Sequence, residues 1–406
     1  MNDSAGKRGK GEIHPHRPQV PGMTHSIMVA LSGGVDSSVT AWLLQQQGYS
    51  IAGMFMKNWE EQDVNSGCTS AEDAADARDV AQLLGIPFHG RNFSLEYWES
   101  VFEHFLGELK AGRTPNPDIL CNREIKFKAF IEHAEDLGAG LIATGHYAQR
   151  RDNADGSVSL LKGRDNSKDQ SYFLHALNQD QLRKAWFPLG ELDKSEVRRI
   201  AEAAGLAVAR KKDSTGICFI GERNFDAFID RYLRAEPGDI LSHRGERIGE
   251  HRGLIHYTLG QRKGLEIGGL RDYPEQPWFV ACKSLGDNTL VAVQDSSHPW
   301  LMSDHLTATS MNWIRGTPPA PGSRLSAKIR YRQSDQPCTI VHADTNCLKL
   351  RFETPQRAVT PGQSVVLYDH DECLGGGVID SGNAPRPEFV APGPAPTHPE
   401  VNRARR

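Results

Sequence analysis

The sequence predicts an α/β fold: an N-terminal parallel sheet with helices on both faces, then a small mixed central domain and a C-terminal β-barrel. Three observations carry this expectation. Short apolar runs alternate with helix-like segments over residues 26–150, the order that lays helices across a parallel sheet. From about residue 225 to 300 glycines multiply, and no long helical pattern follows Leu233. Beyond Leu306 come short strand-like runs separated by turn residues, as in a small barrel or sandwich. At 406 residues the chain is too long for one ordinary core. The expected domains span 26–223, 224–300 and 301–380, with unstructured tails at 1–25 and 381–406. The first tail is rich in Gly, Lys and His and the last in Pro and Ala, so neither can bury enough apolar surface to offset ordering entropy.

Taken in order, residues 27–31 read as a buried strand, and Ser32-Gly33-Gly34-Val35-Asp36-Ser37-Ser38 as a tight turn into a helix. Val39, Trp42, Leu43 and Leu44 then fall close to helical spacing. Glycine lets a backbone turn sharply and approach a ligand, and the N–H groups opening a helix favour an anion. The segment has neither the G-x-x-x-x-G-K-[ST] pattern nor G-x-G-x-x-G. Residues 50–56 form a second apolar run and 71–84 a helix. Trp98, Val101, Phe102, Phe105, Leu106 and Leu109 make an apolar stripe of core residues at helical spacing. Residues 141–144 are another short strand. Ligands of such sheets bind at the carboxyl ends of the strands. The turn after Leu31, Met56 and Gly145-His146 are therefore expected to line one crevice. In the C-terminal part, strands are expected at 325–331, 338–342, 348–352, 364–368 and 378–379.

Composition narrows the function classes. No apolar run approaches the roughly 20 residues that span a membrane, and residues 1–19 are polar and basic without an apolar core. A cytoplasmic protein with no membrane partner is expected. Seven cysteines in a chain of this length are no disulfide framework, and none forms a C-x-x-C pair. No structural metal site is predicted. The net charge of −4 argues against indiscriminate coating of nucleic acid, so such a partner would need a local basic patch.

Two segments carry reactive residues. In Thr114-Pro115-Asn116-Pro117-Asp118-Ile119-Leu120-Cys121-Asn122, two prolines stiffen the approach and keep Asn116 extended before Pro117. Asp118 and Cys121 are expected just before a helix running from about 124 to 137. A cysteine near a helix N-terminus has a stabilised thiolate, which nucleophiles and sulfur carriers need; the alternative is a buried residue that helps start the helix. Asp118 reads either as a proton-transfer group or as the cap of that helix. Cys218 is flanked by Lys211, Lys212 and Arg223, cations that favour a thiolate, although its apolar neighbours also suit a structural residue. Cys68, Cys282, Cys338, Cys347 and Cys373 read as structural.

The turn at 32–38 resembles the pyrophosphate loop of adenylating enzymes, which implies ATP cleaved to AMP and pyrophosphate with Mg²⁺. With it stand Asn116–Asn122, Ala143-Thr144-Gly145-His146-Tyr147, Lys168-Asp169-Gln170-Ser171-Tyr172-Phe173, Asp213–Arg223, Tyr257–Leu265, Tyr331-Arg332-Gln333 and Thr360–Ser364. Together, over about residues 25–380, these segments closely resemble the bacterial tRNA-specific 2-thiouridylases. That resemblance implies an adenine nucleotide alpha hydrolase-like first domain and a tRNA-binding central domain. It implies ATP-dependent 2-thiolation of the wobble uridine, by adenylation of the C2 oxygen and sulfur transfer from a cysteine persulfide. The implied ATP site is Ala30, Leu31, Ser32, Gly33, Gly34, Val35, Asp36, Ser37, Met56 and Gly145. The implied catalytic residues are Cys121 and the persulfide-bearing Cys218, able to form a disulfide, with Asp118 beside them. Contacts to the tRNA anticodon loop map to Asn116, Pro117, Asp118, His146, Lys168, Asp169, Gln170, Arg330, Tyr331 and Gln363. A persulfide donor protein, a cysteine desulfurase or a sulfur-relay protein, is the second implied partner. The competing readings are a pyrophosphate-loop ligase or amidating synthetase, which needs no paired cysteine motifs, and a tRNA-binding protein with a vestigial ATP site.

Overall fold

Strand β1 (Ser26–Ala30) is apolar on both sides because it is covered on both sides. Met28 and Ala30 enter one core, and Ile27 and Val29 the other, followed there by Leu31. Such two-sided burial marks a central parallel strand. The computed structural model describes residues 26–60, 69–213 and 225–390. β1 pairs in parallel with β2 (Ile51–Lys57) and β4 (Ala139–Ala143), and β3 (Phe88–Asn92) and β7 (Ala185–Trp186) extend the sheet to the order β3-β2-β1-β4-β7. One face packs on α1 (Val35–Gln46), α2 (Thr69–Leu84) and the helix Lys194–Ala203, burying Val39, Leu44, Val80 and Val197. The other packs on helical runs over 94–110 and 117–136, through Tyr97, Phe102, Phe105, Ile125 and Phe130. The strand order reverses between β1 and β4, the place where open α/β sheets leave a crevice.

The hairpin of β5 (Ala148–Asp152) and β6 (Val158–Lys162) leaves this sheet altogether. β8 (Gly238–Leu241), β9 (Arg247–His251), β10 (Trp278–Ser284) and β11 (Thr289–Gln294) form a separate four-stranded sheet over Ile240, Tyr257, Val280 and Leu290. The short helix Phe225–Ile229 packs back on the first domain, with Phe228 against Trp59 and Phe102, their ring centres 5.7 and 5.9 Å away.

The last six strands are β12 (Met302–Trp313), β13 (Arg324–Lys328), β14 (Gln336–Ala343), β15 (Cys347–Arg357), β16 (Ser364–Asp369) and β17 (Glu372–Gly382). They run in the order β12-β15-β14-β13-β16-β17, and β12 also pairs with β17, so the sheet closes into a barrel and is not a sandwich. β12 was not expected from the sequence. Its buried positions include Ser303 and Ala308, which give little apolar signal. β6 then pairs with β17, Leu161 opposite Glu372 and Leu160 opposite Cys373, so the first domain adds two strands to the barrel sheet.

The expected tail at 381–406 is corrected in its first part. β17 runs to Gly382, Ala384 N–H donates to Ser303 Oγ at 3.0 Å, Phe389 meets the Trp300 ring, and Val390 is buried with Cys282 and Val291. Val390 thus finds a seat against the central sheet, while Phe389 stays exposed beside Trp300. The tail residues 1–25 and 391–406 lie outside the described residues. Among the described residues no helix is long and apolar enough to cross a membrane.

Where the barrel meets the first domain, His175 is buried with Nδ1 2.7 Å from the Tyr172 carbonyl oxygen, so Nδ1 carries the proton. Burial depresses its pKa to about 4. Below the ordinary value near 6.5 the unfolded chain takes up a proton that the folded chain refuses until about pH 4, so stability is lost as pH falls through that window. The loss attributable to this group should be roughly 3 kcal/mol. His175→Asn, whose amide can keep the Tyr172 bond, should flatten that part of the curve of urea midpoint against pH.

Candidate active site

At the carboxyl end of β1 the backbone is shaped for an anion. Gly34 is the extended N-cap of α1 (φ −99°, ψ 165°) and contributes no side-chain cap. The N–H groups of the first helical turn, which have no intrahelical acceptors, thus keep their capacity for a ligand. Gly33 has φ +75°, and a Cβ there would stand 2.3 Å from the Asp73 carbonyl oxygen. Ser37 Oγ accepts from Ser32 N–H at 3.1 Å, and Ser38 Oγ donates to the Gly34 carbonyl at 2.8 Å, which fixes the turn. Just past β4, Gly145 comes so close that a Cβ would lie 2.9 Å from the backbone of Asp36 and Ser37. Met56, at the end of β2, is half-buried against the core on the other side. Of the residues expected to line the crevice, the turn and Gly145 are brought together at the start of α1.

A set of charges surrounds this turn that motif reading had not assembled. Lys194 Nζ lies 2.7 Å from each Asp36 carboxylate oxygen and 2.8 Å from Asp213 Oδ1. Tyr147 O–H donates to Asp36 at 2.8 Å. Burial and the Asp36 charge push the Tyr147 phenol far above its ordinary range, so it remains a donor. Asp213 also accepts from Lys168 and Arg198, each at 2.7 Å. Burial pushes the Asp213 carboxyl up, but the bonds from Lys168 and Lys194 outweigh it and hold it at about 2. Lys211 donates to the Gly33 carbonyl at 3.1 Å and to Asp73 at 2.7 Å, and also pairs with Asp76. Lys194 and Arg198 were not singled out from the sequence at all. The signal that could have marked them is the capping box Asp193…Glu196, which opens their helix.

The Cys121 segment starts its helix earlier than expected. Asn116 is extended (φ −116°, ψ 102°), its Oδ1 accepts from Asp118 N–H at 3.1 Å, and Pro117 takes the first helical position, where its missing N–H costs nothing. The helix therefore begins at Pro117 and not near 124, and its cap is Asn116 and not Asp118. Cys121 stands in the second turn, fully buried beside Ile125 and Phe127. The helix dipole fades within the first turn, so it gives Cys121 less help than a position before the helix would. Residues 121–129 take the wider π-helical hydrogen bonding, a local departure common at functional sites. Cys218 and Cys68 lie outside the described residues. The chain enters 214–224 from Asp213, fixed on Lys168, Lys194 and Arg198, and leaves it at Phe225, whose ring is 6.1 Å from Phe105.

The barrel reaches the same region. Gln363 Nε2 donates to the Thr114 carbonyl at 2.7 Å, Thr114 N–H donates to the Pro361 carbonyl at 2.9 Å, and Thr114 Oγ1 is 3.2 Å from Thr258 Oγ1 of the central domain. Three parts of the chain meet two residues before Asn116. Tyr331 packs on Phe173, ring centres 4.3 Å apart, and Asn122 Nδ2 donates to the Phe173 carbonyl. Gln170 Oε1 accepts from Tyr147 N–H at 3.0 Å. Four of the expected RNA contacts are turned inward, Pro117 among them as a buried residue of the first helical turn. Asp169 accepts from Gly163 N–H and from Ser171 and faces Lys328 at 3.5 Å. Arg330 donates to Thr360 Oγ1 at 2.6 Å, and His146 is buried at 2.8 Å from Thr144 Oγ1. Burial holds the His146 pKa well below its ordinary value, so the ring is neutral.

The close approach of Gly145 to α1 predicts that Gly145→Ala lowers stability by about 1–3 kcal/mol, since the crowded atoms are backbone. Gly90→Ala, where a Cβ meets nothing within 4 Å, should stay within about 0.5 kcal/mol of the parent. Equal thermal unfolding of the two variants would contradict this geometry.

Comparison with known proteins gives the fold its context. Residues 25–222 match the family described as tRNA methyl transferase HUP domain. Residues 226–294 match the tRNA methyl transferase PRC-barrel domain and 303–379 the aminomethyltransferase beta-barrel domain. The tRNA-specific 2-thiouridylase MnmA of Chromohalobacter salexigens is 59% identical over 355 residues, 87% of this chain and 92% of that protein. The namesake proteins of Pseudomonas fluorescens Pf-5 (59% identity, 87% and 93%) and Psychromonas ingrahamii (57%, 87% and 96%) align as fully. With identity at this level along nearly the whole of both chains, this protein belongs to the tRNA-specific 2-thiouridylase family.

Proposed function

We propose that this protein is a tRNA-uridine 2-sulfurtransferase that thiolates the wobble uridine at C2 with ATP and a protein-bound persulfide. The observation that carries the reading is the family match over 25–222, which contains the anion-binding turn, Cys121 and Cys218 together. A ligase or amidating enzyme needs the first of these and not the other two.

The C2 oxygen of uridine is a poor leaving group, and bound ATP would supply the adenylyl group that makes it a good one. The first-turn N–H groups of α1 would hold the pyrophosphate, with Ala30 to Ser37, Met56 and Gly145 around the nucleotide. The hard oxygens of Asp36, in that same turn, suit Mg²⁺. Asn116, Asp118, Lys168, Gln170, Tyr331 and Gln363 would receive an anticodon loop whose target base has left its stack, with the buried Pro117 holding that segment's backbone. Asp169, His146 and Arg330 would serve that surface by fixing its backbone. Cys218 would accept sulfur from a donor protein as a persulfide, and its terminal sulfur would attack C2 and displace AMP. Cys121 thiolate would then attack Cys218 Sγ, breaking the S–S bond. This leaves sulfur on C2 and closes a Cys121–Cys218 disulfide, which a thiol reductant reopens with two electrons. Asp118, three residues before Cys121 on the same helix, would assist proton transfer. Such a reaction belongs in the cytoplasm, with tRNA.

Cells lacking the gene should lose 2-thiouridine from tRNA digests analysed by mass spectrometry; an unchanged level would sink the assignment. Cys218→Ser should abolish transfer of labelled sulfur, and Cys121→Ser should abolish release of 2-thiolated tRNA from the protein, while tRNA-stimulated ATP–pyrophosphate exchange persists in both. Loss of exchange in both would place the cysteines in activation and not in sulfur transfer.

A further inference from the structure

Lys194 is the first residue of its helix, an unfavourable end for a cation in the field of the helix dipole. The helix has its own cap in Asp193 and Glu196, and the Lys194 N–H donates to Asp165 Oδ2 at 3.0 Å. Nothing in helix stability calls for an ammonium here. The side chain nonetheless folds inward, 11% exposed, to reach both oxygens of Asp36 and Oδ1 of Asp213, with Nζ 5.7 Å from the Tyr147 ring centre. Asp36 belongs to the first turn of α1, so the ammonium sits beside the N–H groups that open that helix. One cation faces two carboxylates, and Asp213 is already served by Lys168 and Arg198.

We propose that Lys194 is a phosphate-binding residue of the nucleotide site, paired with Asp36 in the free protein and with the nucleotide's phosphates in the complex. The proposal deepens the ATP reading given above and rests on it. An ammonium has three N–H donors and no fixed plane, so it can exchange Asp36 for a phosphate oxygen while keeping its bond to Asp213. Asp213, immobilised by two further cations, acts as the tether that holds Nζ at the site during that exchange. One ammonium remains paired with an anion throughout.

Binding of α,β-methylene-ATP, inorganic pyrophosphate and adenosine to the full chain, followed by calorimetry, tests this. Lys194→Met keeps the apolar stem and removes the charge. It should weaken the two phosphate ligands about tenfold or more, the scale of a hydrogen bond to a charged group, and leave adenosine within about twofold. Lys194→Arg should restore most of the loss. Unchanged affinity for α,β-methylene-ATP in Lys194→Met would overturn the proposal. An equal loss for adenosine would also overturn it, by making Lys194 a structural residue. Failure of the parent protein to bind any of the three would instead remove the ATP reading on which it rests.

Discussion

The Asp213 carboxylate is the point on which the site depends. Lys168, from the loop before Ser171, and Lys194 and Arg198, from one helix, converge on it, and through Lys194 it is joined to Asp36 at the start of α1. Isolated surface ion pairs contribute little, but here the groups are mutually satisfied and partly removed from water, so losing one member leaves the others as uncompensated charge. The network sets three things at once: the orientation of the acid in the anion-binding turn, the position of the loop that carries Lys168 to Gln170, and the direction in which the chain enters the Cys218 segment.

Most of the first domain was legible in the sequence because its signals are local. β1 is a continuous apolar run, the turn carries two adjacent glycines, and α1 shows helical spacing. The reading faltered where the determining partner is distant or the pattern ambiguous. β12 gives a weak apolar signal, with Ser303 and Ala308 among its buried positions, and β5–β6 looks like any hairpin until its partner β17 is known. At Asn116-Pro117 the signal is local but two-sided: a proline stiffens a loop and keeps the residue before it extended, while Asn at the cap and Pro at the first helical position together start a helix. Lys194 and Asp36 are separated by 158 residues, and no periodicity links an ammonium to a carboxylate at that distance.

The inward-turned residues change how a family motif is understood. In Lys168-Asp169-Gln170 only the first and last side chains remain near the surface, and Asp169 is spent on Gly163 N–H, Ser171 and the barrel residue Lys328. Lys328 and Lys162 both lie over the Tyr368 ring, 5.3 and 4.6 Å from its centre, and both pair with Asp335. The middle residue of the motif thus ties the loop to the barrel, which in turn supplies Tyr331 and Gln363.

The sharing of β5–β6 with the barrel also has a consequence for synthesis. Ser159 bonds to Glu372, 213 residues later in the chain, so on the ribosome the hairpin emerges long before its neighbour strand exists. Through that interval β6 presents an unpaired edge, the kind of surface that invites pairing with another chain. The hairpin carries Arg150, Arg151, Asp152 and Lys162, charges that discourage such encounters. In the finished protein two of them become internal fastenings, Lys162 on Asp335 and Arg151 on Glu372. The same side chains that keep the nascent strand solitary later hold it in place.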